Sequence, residues 1–176
     1  MPERREWESG VAMVGLFWIT SDAVYVGSPP TAFGGGVRLT SDGPEALDPD
    51  GSRTWTWEEL RSAVVEDVPT ESPSGRVSKL VGSVVSAAAG AFVGEGPTAM
   101  TLWLETEYGP EQVTVYSAAA GGYGAEEAAL SQDLLARFVA GTADVRALEA
   151  WGSEHGQEAT PKPPAREALL QAWTQA

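Results

Sequence analysis

The chain of 176 residues contains no cysteine and only one histidine. Without a thiol it can form no disulfide, no cysteine nucleophile and no cysteine-ligated zinc site. The histidine, His155, lies in a polar stretch, and the sequence places no partner group beside it. A general base needs such a partner at hydrogen-bond distance, and no Gly-x-Ser-x-Gly nucleophile motif is present. We therefore expect a protein that is not an enzyme and that binds no metal ion or cofactor.

Basic residues are also scarce. Eleven Lys and Arg stand against twenty-five Asp and Glu, which gives a net charge of −14. Such a charge repels the phosphates of nucleic acids and of anionic lipids. We therefore expect neither nucleic acid nor a membrane among the partners, which leaves a protein partner or a second copy of the chain.

No apolar run reaches the ~18 residues that a membrane-spanning helix requires. Arg4 and Arg5 precede an apolar stretch, but Glu6 and Glu8 interrupt the basic region and no small-x-small cleavage site follows. This pattern predicts a cytoplasmic protein. Asn is absent, Ile occurs once and Lys twice, which is the codon bias of a GC-rich genome such as that of an actinobacterium.

The clearest local pattern begins at residue 98. Two runs with period-two alternation flank Gly109 and Pro110. Gly109 can adopt the backbone angles that a tight turn requires, and Pro110 has no amide to donate to a β-ladder, so both are typical of the end of a strand pair. The pattern predicts a β-hairpin whose outward face carries Trp103 and Tyr116. Its inward face carries four aliphatic residues: Leu102, Leu104, Val113 and Val115.

A helix is predicted after this hairpin. Apolar residues recur there at helical spacing, acidic residues occupy the first turn, and Gly141 is suited to end the helix. Such an apolar stripe predicts a helix that docks on a sheet. The stripe consists of Leu130, Leu134, Leu135, Phe138 and Val139.

Residues 11–68 contain short alternating runs separated by turn clusters. Residues 14–19 are apolar on both faces, which predicts one strand that is covered on two sides. Val24 and Val26 predict a second strand with Tyr25 pointing outward. Further strands are predicted at 37–40, 54–57 and 63–68, and the Asp-Pro-Asp-Gly stretch at 48–51 predicts a turn, since its spacing does not fit a calcium loop.

Residues 76–93 contain a single charged side chain after Arg76, that of Lys79. Their apolar positions form one arc on a helical wheel, which predicts a helix, although the valines would also suit strands. Four small residues at every fourth position, Ser78, Gly82, Ser86 and Gly90, would allow a partner helix to approach closely. We predict an interface there; the alternative is a helix buried within the monomer.

The last part of the chain predicts two short helices. One follows Gly141 and carries Val145, Leu148 and Trp151, which completes a single domain over residues 1–151. Residues 152–164 have the polar, proline-containing composition of a linker. The final helix, over 165–176, carries a second candidate interface made of Leu169, Leu170 and Trp173.

Seven tryptophans are many for a chain of this length. Trp55, Trp57, Trp103 and Tyr116, with nearby carboxylates, could form an aromatic and acidic face for a carbohydrate or another small ligand. Two of these carboxylates could also form a glycosidase pair. The alternative is that the aromatic rings stabilise the core of the domain.

The order of these elements resembles the pleckstrin-homology-like superfamily, including bacterial GRAM-like domains. The resemblance lies in residues 15–26 (GLFWITSDAVYV), residues 57–60 (WEEL) with the strand that follows, and the hairpin and helix of 98–141. It implies an α+β fold with an antiparallel curled sheet or partly open barrel of about seven strands and a capping helix. The helix at 76–93 and the helical C-terminal tail would be additions to that fold.

Lipid-binding members of this superfamily hold phosphoinositide with basic residues in the first inter-strand loop. The corresponding loop here, Thr20-Ser21-Asp22, has no cation. The sequence therefore predicts a non-enzymatic cytoplasmic interaction module that binds a protein or itself as a homodimer. The alternative is a small-ligand or carbohydrate-binding protein, or less readily a hydrolase, that uses the aromatic face.

Overall fold

The computed structural model describes residues 11–30, 34–49, 51–71, 98–119, 121–155 and 160–175. The strands in these ranges are β1 (Val11–Val14), β2 (Phe17–Thr20), β3 (Val24–Val26), β4 (Gly36–Leu39), β5 (Pro44–Asp48), β6 (Gly51–Thr54), β7 (Leu60–Glu66), β8 (Thr70–Glu71), β9 (Ala99–Thr106), β10 (Gly109–Tyr116) and β11 (Tyr123–Gly124). The helices are α1 (Ala125–Ala140), α2 (Arg146–His155) and α3 (Pro163–Gln175), and a 3₁₀ turn spans Trp57–Glu59.

The strands form three sheets. The first six make an antiparallel sheet in chain order, β1-β2-β3-β4-β5-β6, which does not close on itself. A three-stranded antiparallel sheet has the order β10-β9-β7, and β11 pairs with β8 in parallel. The predicted α+β class, with an antiparallel sheet and a C-terminal helix, is confirmed. The strands are divided among sheets of six, three and two where one curled sheet of about seven was expected. The helix predicted at 76–93 lies outside the described residues.

The single strand predicted at 14–19 is wrong. Val14 pairs with Phe17 across a tight turn, so β1 and β2 form a hairpin. Gly15 has a φ of +58°, and a side chain there would overlap Ser131 Oγ on α1. The Leu16 amide donates to that same hydroxyl at 3.0 Å. Apolar residues occupy both sides of the predicted strand because this turn points into the interior and meets the helix.

The predicted hairpin of β9 and β10 and the predicted helix are confirmed. Val113 pairs with Leu102, and all four predicted inward residues are buried. Helix α1 buries Leu134 and Phe138, and it ends at Gly141 in the left-handed conformation. The Phe138 ring lies 6.3 Å from that of Phe17 in β2 and 5.6 Å from that of Trp57. Helix α1 therefore packs against the six-stranded sheet through this ring.

The outer edge of β7 is covered by one side chain of α1. The Gln132 amide group donates to the Val65 carbonyl and accepts from the Val65 amide at 3.1 Å. An exposed strand edge carries unpaired backbone groups that favour association with other chains. Gln132 occupies these two groups as a neighbouring strand would, so it joins the helix to the three-stranded sheet.

Replacing Gln132 with leucine should lower the free energy of unfolding by about 1–3 kcal/mol, because both backbone groups of Val65 lose their partner. Amide hydrogen exchange should accelerate at Val65. Gln171 is an exposed glutamine on α3, and Gln171→Leu serves as the control, with a change within about 0.5 kcal/mol. Unchanged exchange at Val65 in Gln132→Leu would contradict this role.

The C-terminal helix α3 packs on the domain. Leu170 is fully buried, and the Trp173 ring meets that of Trp151 edge-on at 6.0 Å. The Arg166 guanidinium forms two hydrogen bonds to the Glu127 carboxylate, from Nε at 2.5 Å and from Nη2 at 3.0 Å. Helix α2 extends to His155, into the stretch expected to be linker. The tail helix is thus joined to α1 by an ion pair and to α2 by an aromatic contact.

Candidate functional site

One line of side chains crosses the whole outer face of the six-stranded sheet. The register pairs each of its members with the next one on the neighbouring strand. In β1 to β5 the strand residues on either side of these positions, such as Phe17 and Ile19 in β2, face the core and are buried. We name this line the transverse row. It consists of Met13, Trp18, Tyr25, Arg38, Glu45 and Thr54.

Charge and aromatic surface meet in the middle of the transverse row. Arg38 stands between Tyr25 and Glu45, and its Nη2 lies 2.5 Å from a carboxylate oxygen of Glu45. The Arg38 Nε is buried and has no hydrogen-bond partner within the described part of the chain. Trp18 and Tyr25 are half-buried, so each ring presents part of its surface to solvent.

A cavity of about 540 Å³ lies at the β5–β6 end of the row. Glu45 and Thr54 belong to both the row and the cavity wall, and Trp55 supplies an aromatic wall. The complete lining is Thr40, Asp42, Gly43, Pro44, Glu45, Thr54, Trp55, Thr56 and Glu59. The cavity therefore continues the outer face of the sheet into an acidic recess.

Two of the three carboxylates in this recess already have partners in the protein. Glu45 is paired with Arg38. The Glu59 carboxylate accepts from the Thr56 amide at 2.7 Å, and the Thr56 side chain accepts from the Glu59 amide, which closes the 3₁₀ turn as a capping box. The recess supplies negative charge. In the described residues, no three His, Asp or Glu side chains converge in a way that could hold a metal ion.

The four aromatic residues of the predicted ligand face do not form one face. Trp55 lines the cavity, whereas the Trp57 ring packs on Phe138 and its Nε1 donates to the Thr40 carbonyl at 3.0 Å. Trp103 lies on the outer face of the three-stranded sheet, and Tyr116 lies at the end of β10 beside Gly34. The prediction of one shared face is wrong. Alternation within each strand gives these residues the same outward direction, but they lie on two different sheets and in a 3₁₀ turn.

Trp103 has its own surroundings on the three-stranded sheet. It is flanked in register by Val64 on β7 and by Gln112 on β10. Val64 is 44% exposed, and Trp103 Nε1 is buried with no hydrogen-bond partner among the residues that the structure describes. The ring is half-buried and covers the centre of this small sheet.

The predicted interfaces have two outcomes. Ser78, Gly82, Ser86 and Gly90 lie outside the described residues. Leu170 and Trp173 are buried against the domain, and Leu169 packs partly on the same core. The C-terminal interface is therefore wrong for the docked helix, because its apolar stripe is used within the chain.

His155 occupies the end of α2. Its ring stacks on that of Trp151 with centroids 5.1 Å apart, and its Nδ1 lies 3.2 Å from the Trp151 carbonyl oxygen. These contacts hold the His155 ring against the last turn of α2.

Sequence reasoning missed Trp18, Arg38 and Glu45 as surface neighbours. Only the outward direction of Tyr25 was predicted, from the alternation in β3. The signal that could have found Trp18 is a hairpin turn at Gly15–Leu16. With a turn there, Trp18 belongs to a second strand and points outward. The line across six strands depends on five separate registers, which alternation within one strand does not specify.

No protein-family model matches this chain, and no curated protein or solved structure shows a significant match to it. Among the residues that the structure describes, no helix combines the length and the apolar character needed to cross a membrane.

Proposed function

We propose that this chain is a non-enzymatic, cytoplasmic interaction domain of the pleckstrin-homology-like type, and that it binds a protein through the transverse row. The row carries the proposal because it places a tryptophan, a tyrosine and an arginine side by side on an outer sheet face. These three residue types dominate the binding energy of protein interfaces. Half-buried rings such as those of Trp18 and Tyr25 also lose little conformational freedom on binding.

The likeness to the pleckstrin-homology-like superfamily is part of the proposal. It is supported by an open antiparallel sheet, a second small antiparallel sheet and a helix that packs between them through Phe138 and Gln132. The absence of enzymatic activity is likewise proposed. It is supported by the engagement of Glu45 and Glu59 with groups of the protein and by the stacking of His155 on Trp151.

Charge supports a protein partner over a lipid or a nucleic acid. The net charge is −14, and the β2–β3 turn carries no cation. Within that turn the Thr20 hydroxyl accepts from the amides of Asp22 and Ala23 at 3.1 and 2.9 Å. These amides are occupied by the protein itself, so they do not offer an anion site of the kind that a phosphate would use.

Affinity capture from the native host tests the proposal. A partner recovered by the unmodified chain should be lost with Trp18→Ala, because truncating a central aromatic residue costs about 2 kcal/mol or more, which is roughly a thirtyfold loss of affinity. Tyr108→Ala is the matched control, since Tyr108 is 91% exposed at the hairpin tip on the other antiparallel sheet. Circular dichroism of both variants should match that of the parent.

Light scattering over a range of concentrations covers self-association. A mass that rises with concentration and returns to that of a monomer in Trp18→Ala would show that the partner is a second copy. The transverse row would be refuted as a binding surface if the chain is a monomer at all concentrations and the Trp18→Ala variant captures the same proteins as the parent.

The cavity supports a second candidate function. Trp55, three threonines and three carboxylates line a volume suited to a small polar ligand such as a carbohydrate. A glycan array probed with the parent, with Trp55→Ala and with Trp18→Ala distinguishes the small-ligand function from protein binding through the transverse row. Signals that require Trp55 but not Trp18 would favour the small-ligand function.

A further inference from the structure

Strand β6 is one of the two edge strands of the six-stranded sheet. The Trp55 amide donates to the Pro44 carbonyl at 3.1 Å, so residues 44 and 55 form a hydrogen-bonded pair. In an antiparallel ladder, bonded and non-bonded pairs alternate. Arg53 opposite Ala46 is then bonded as well, while Ser52 and Thr54 belong to non-bonded pairs. The backbone amides and carbonyls of Ser52 and Thr54 therefore point away from the sheet.

These outward groups are accessible. All four residues of β6 are exposed. Outside the sheet ladders, no backbone hydrogen bond in the described ranges uses Ser52 or Thr54. The contrast with β7 is direct, because Gln132 covers that edge and β6 has no equivalent residue in this part of the chain. An edge of this kind can accept a strand from another chain.

The open edge leads directly to the acidic recess. Residues that stand opposite each other in an antiparallel ladder point to the same face, with Cβ atoms about 4.5–5.5 Å apart. A residue opposite Thr54 on an added strand would thus place its side chain beside the Thr54 side chain, which lines the recess with Glu45 and Asp42. The Glu45 carboxylate forms an ion pair with Arg38, whereas no hydrogen bond or ion pair in the described part of the chain uses the Asp42 carboxylate.

We propose that β6 and the recess together bind an extended segment of a protein partner, which adds a strand to the sheet and places a lysine or arginine opposite Thr54. Backbone pairing with Ser52 and Thr54 supplies affinity that depends little on sequence. The carboxylates of Asp42, Glu45 and Glu59 select a basic side chain. This inference rests on the proposed protein-binding function and names the chemistry of the partner.

Synthetic peptides test the proposal. The probe is a fluorescein-labelled peptide of alternating threonine and valine with lysine at its centre, measured by fluorescence anisotropy against the full chain. Replacing the central lysine with glutamate should weaken binding at least about tenfold, with glutamine in between, since opposite charge at close range favours only the basic peptide. The preference should shrink as salt is added.

Two changes separate the edge from the recess. N-methylation of the lysine peptide at alternate residues removes the amides needed for ladder pairing, and it should abolish binding without any change to the protein. Asp42→Asn should weaken the lysine peptide several-fold and leave the glutamine peptide unchanged. Asp22→Asn is the matched control, because Asp22 is an exposed turn residue between β2 and β3 outside the recess.

Binding with the ranking lysine over glutamine over glutamate, lost on N-methylation, supports the proposal. Equal binding of the lysine and glutamate peptides overturns it, as does a dimer that forms through β6 and is not displaced by the lysine peptide. If no peptide binds while a captured partner still depends on Trp18, this inference fails and the proposed function stands.

Discussion

Replacing Phe138 with alanine is expected to lower the free energy of unfolding by about 3–5 kcal/mol. Phe138 is 2% exposed and lies where α1 meets the six-stranded sheet. Its ring contacts those of Phe17 and Trp57, so truncation removes two aromatic contacts and leaves a cavity between the helix and the sheet. The Trp57 ring packs against Phe138, so truncation of Phe138 changes the surroundings of that ring. The tryptophan fluorescence of the folded variant should therefore shift as well.

Urea unfolding followed by circular dichroism measures the loss. Tyr108→Ala removes a similar aromatic ring at the exposed hairpin tip, and its stability should stay within about 0.5 kcal/mol of the parent. A loss in Phe138→Ala no larger than that of this control would show that α1 does not cover the β-layer. The proposed architecture would then fail with it.

The second large effect is expected at the buried ion pair between α1 and α3. The side chains of Glu127 and Arg166 are only 6% and 16% exposed. The hydrogen bond from Arg166 to Glu127 raises the pKa of the guanidinium, and Arg166 also donates to the Pro161 carbonyl at 2.7 Å. Arg166→Ala leaves a buried carboxylate without its partner, so the free energy of unfolding should fall by about 3–5 kcal/mol.

The double variant Glu127→Leu with Arg166→Met separates the pair from its surroundings. Replacing a buried ion pair with apolar residues of similar size is often neutral, so the double variant should recover most of the stability lost by Arg166→Ala. The exposed pair Asp133–Arg137 on α1 is the control, and Arg137→Ala should cost less than about 1 kcal/mol. Equal losses in the single and double variants would show that packing of α3, and not the unpaired charge, sets the effect.

These two contacts differ in how far the sequence could predict them. The stripe that contains Leu134 and Phe138 has helical spacing, so the buried face of α1 could be predicted from a short window of residues. Glu127 and Arg166 are 39 residues apart. Nothing local distinguishes Glu127 from its neighbour Glu126, since both occupy the first turn of the helix. Only the docking of α3 makes one of them a buried partner.

The tryptophans show the same division. Alternation groups Trp55 with Trp57, yet the 3₁₀ turn that begins at Trp57 rotates this ring toward Phe138 and leaves Trp55 at the cavity. A single strand over residues 14–19 would give Trp18 a covered position, whereas the turn at Gly15 places Trp18 in a second strand. A single backbone conformation with positive φ at Gly15 therefore decided which aromatic ring reaches the outer face of the sheet.

Local sequence patterns were sufficient to predict the α+β class, the β9–β10 hairpin, the buried face of α1 and the end of that helix at Gly141, because each depends on contacts within a turn or a few residues. Only the folded chain defines the transverse row, the recess beside β6, the edge covered by Gln132 and the docking of α3. These features depend on strand registers and on contacts between distant segments, where a shift of one residue would turn Trp18 or Arg38 to the opposite face at no change in local pattern.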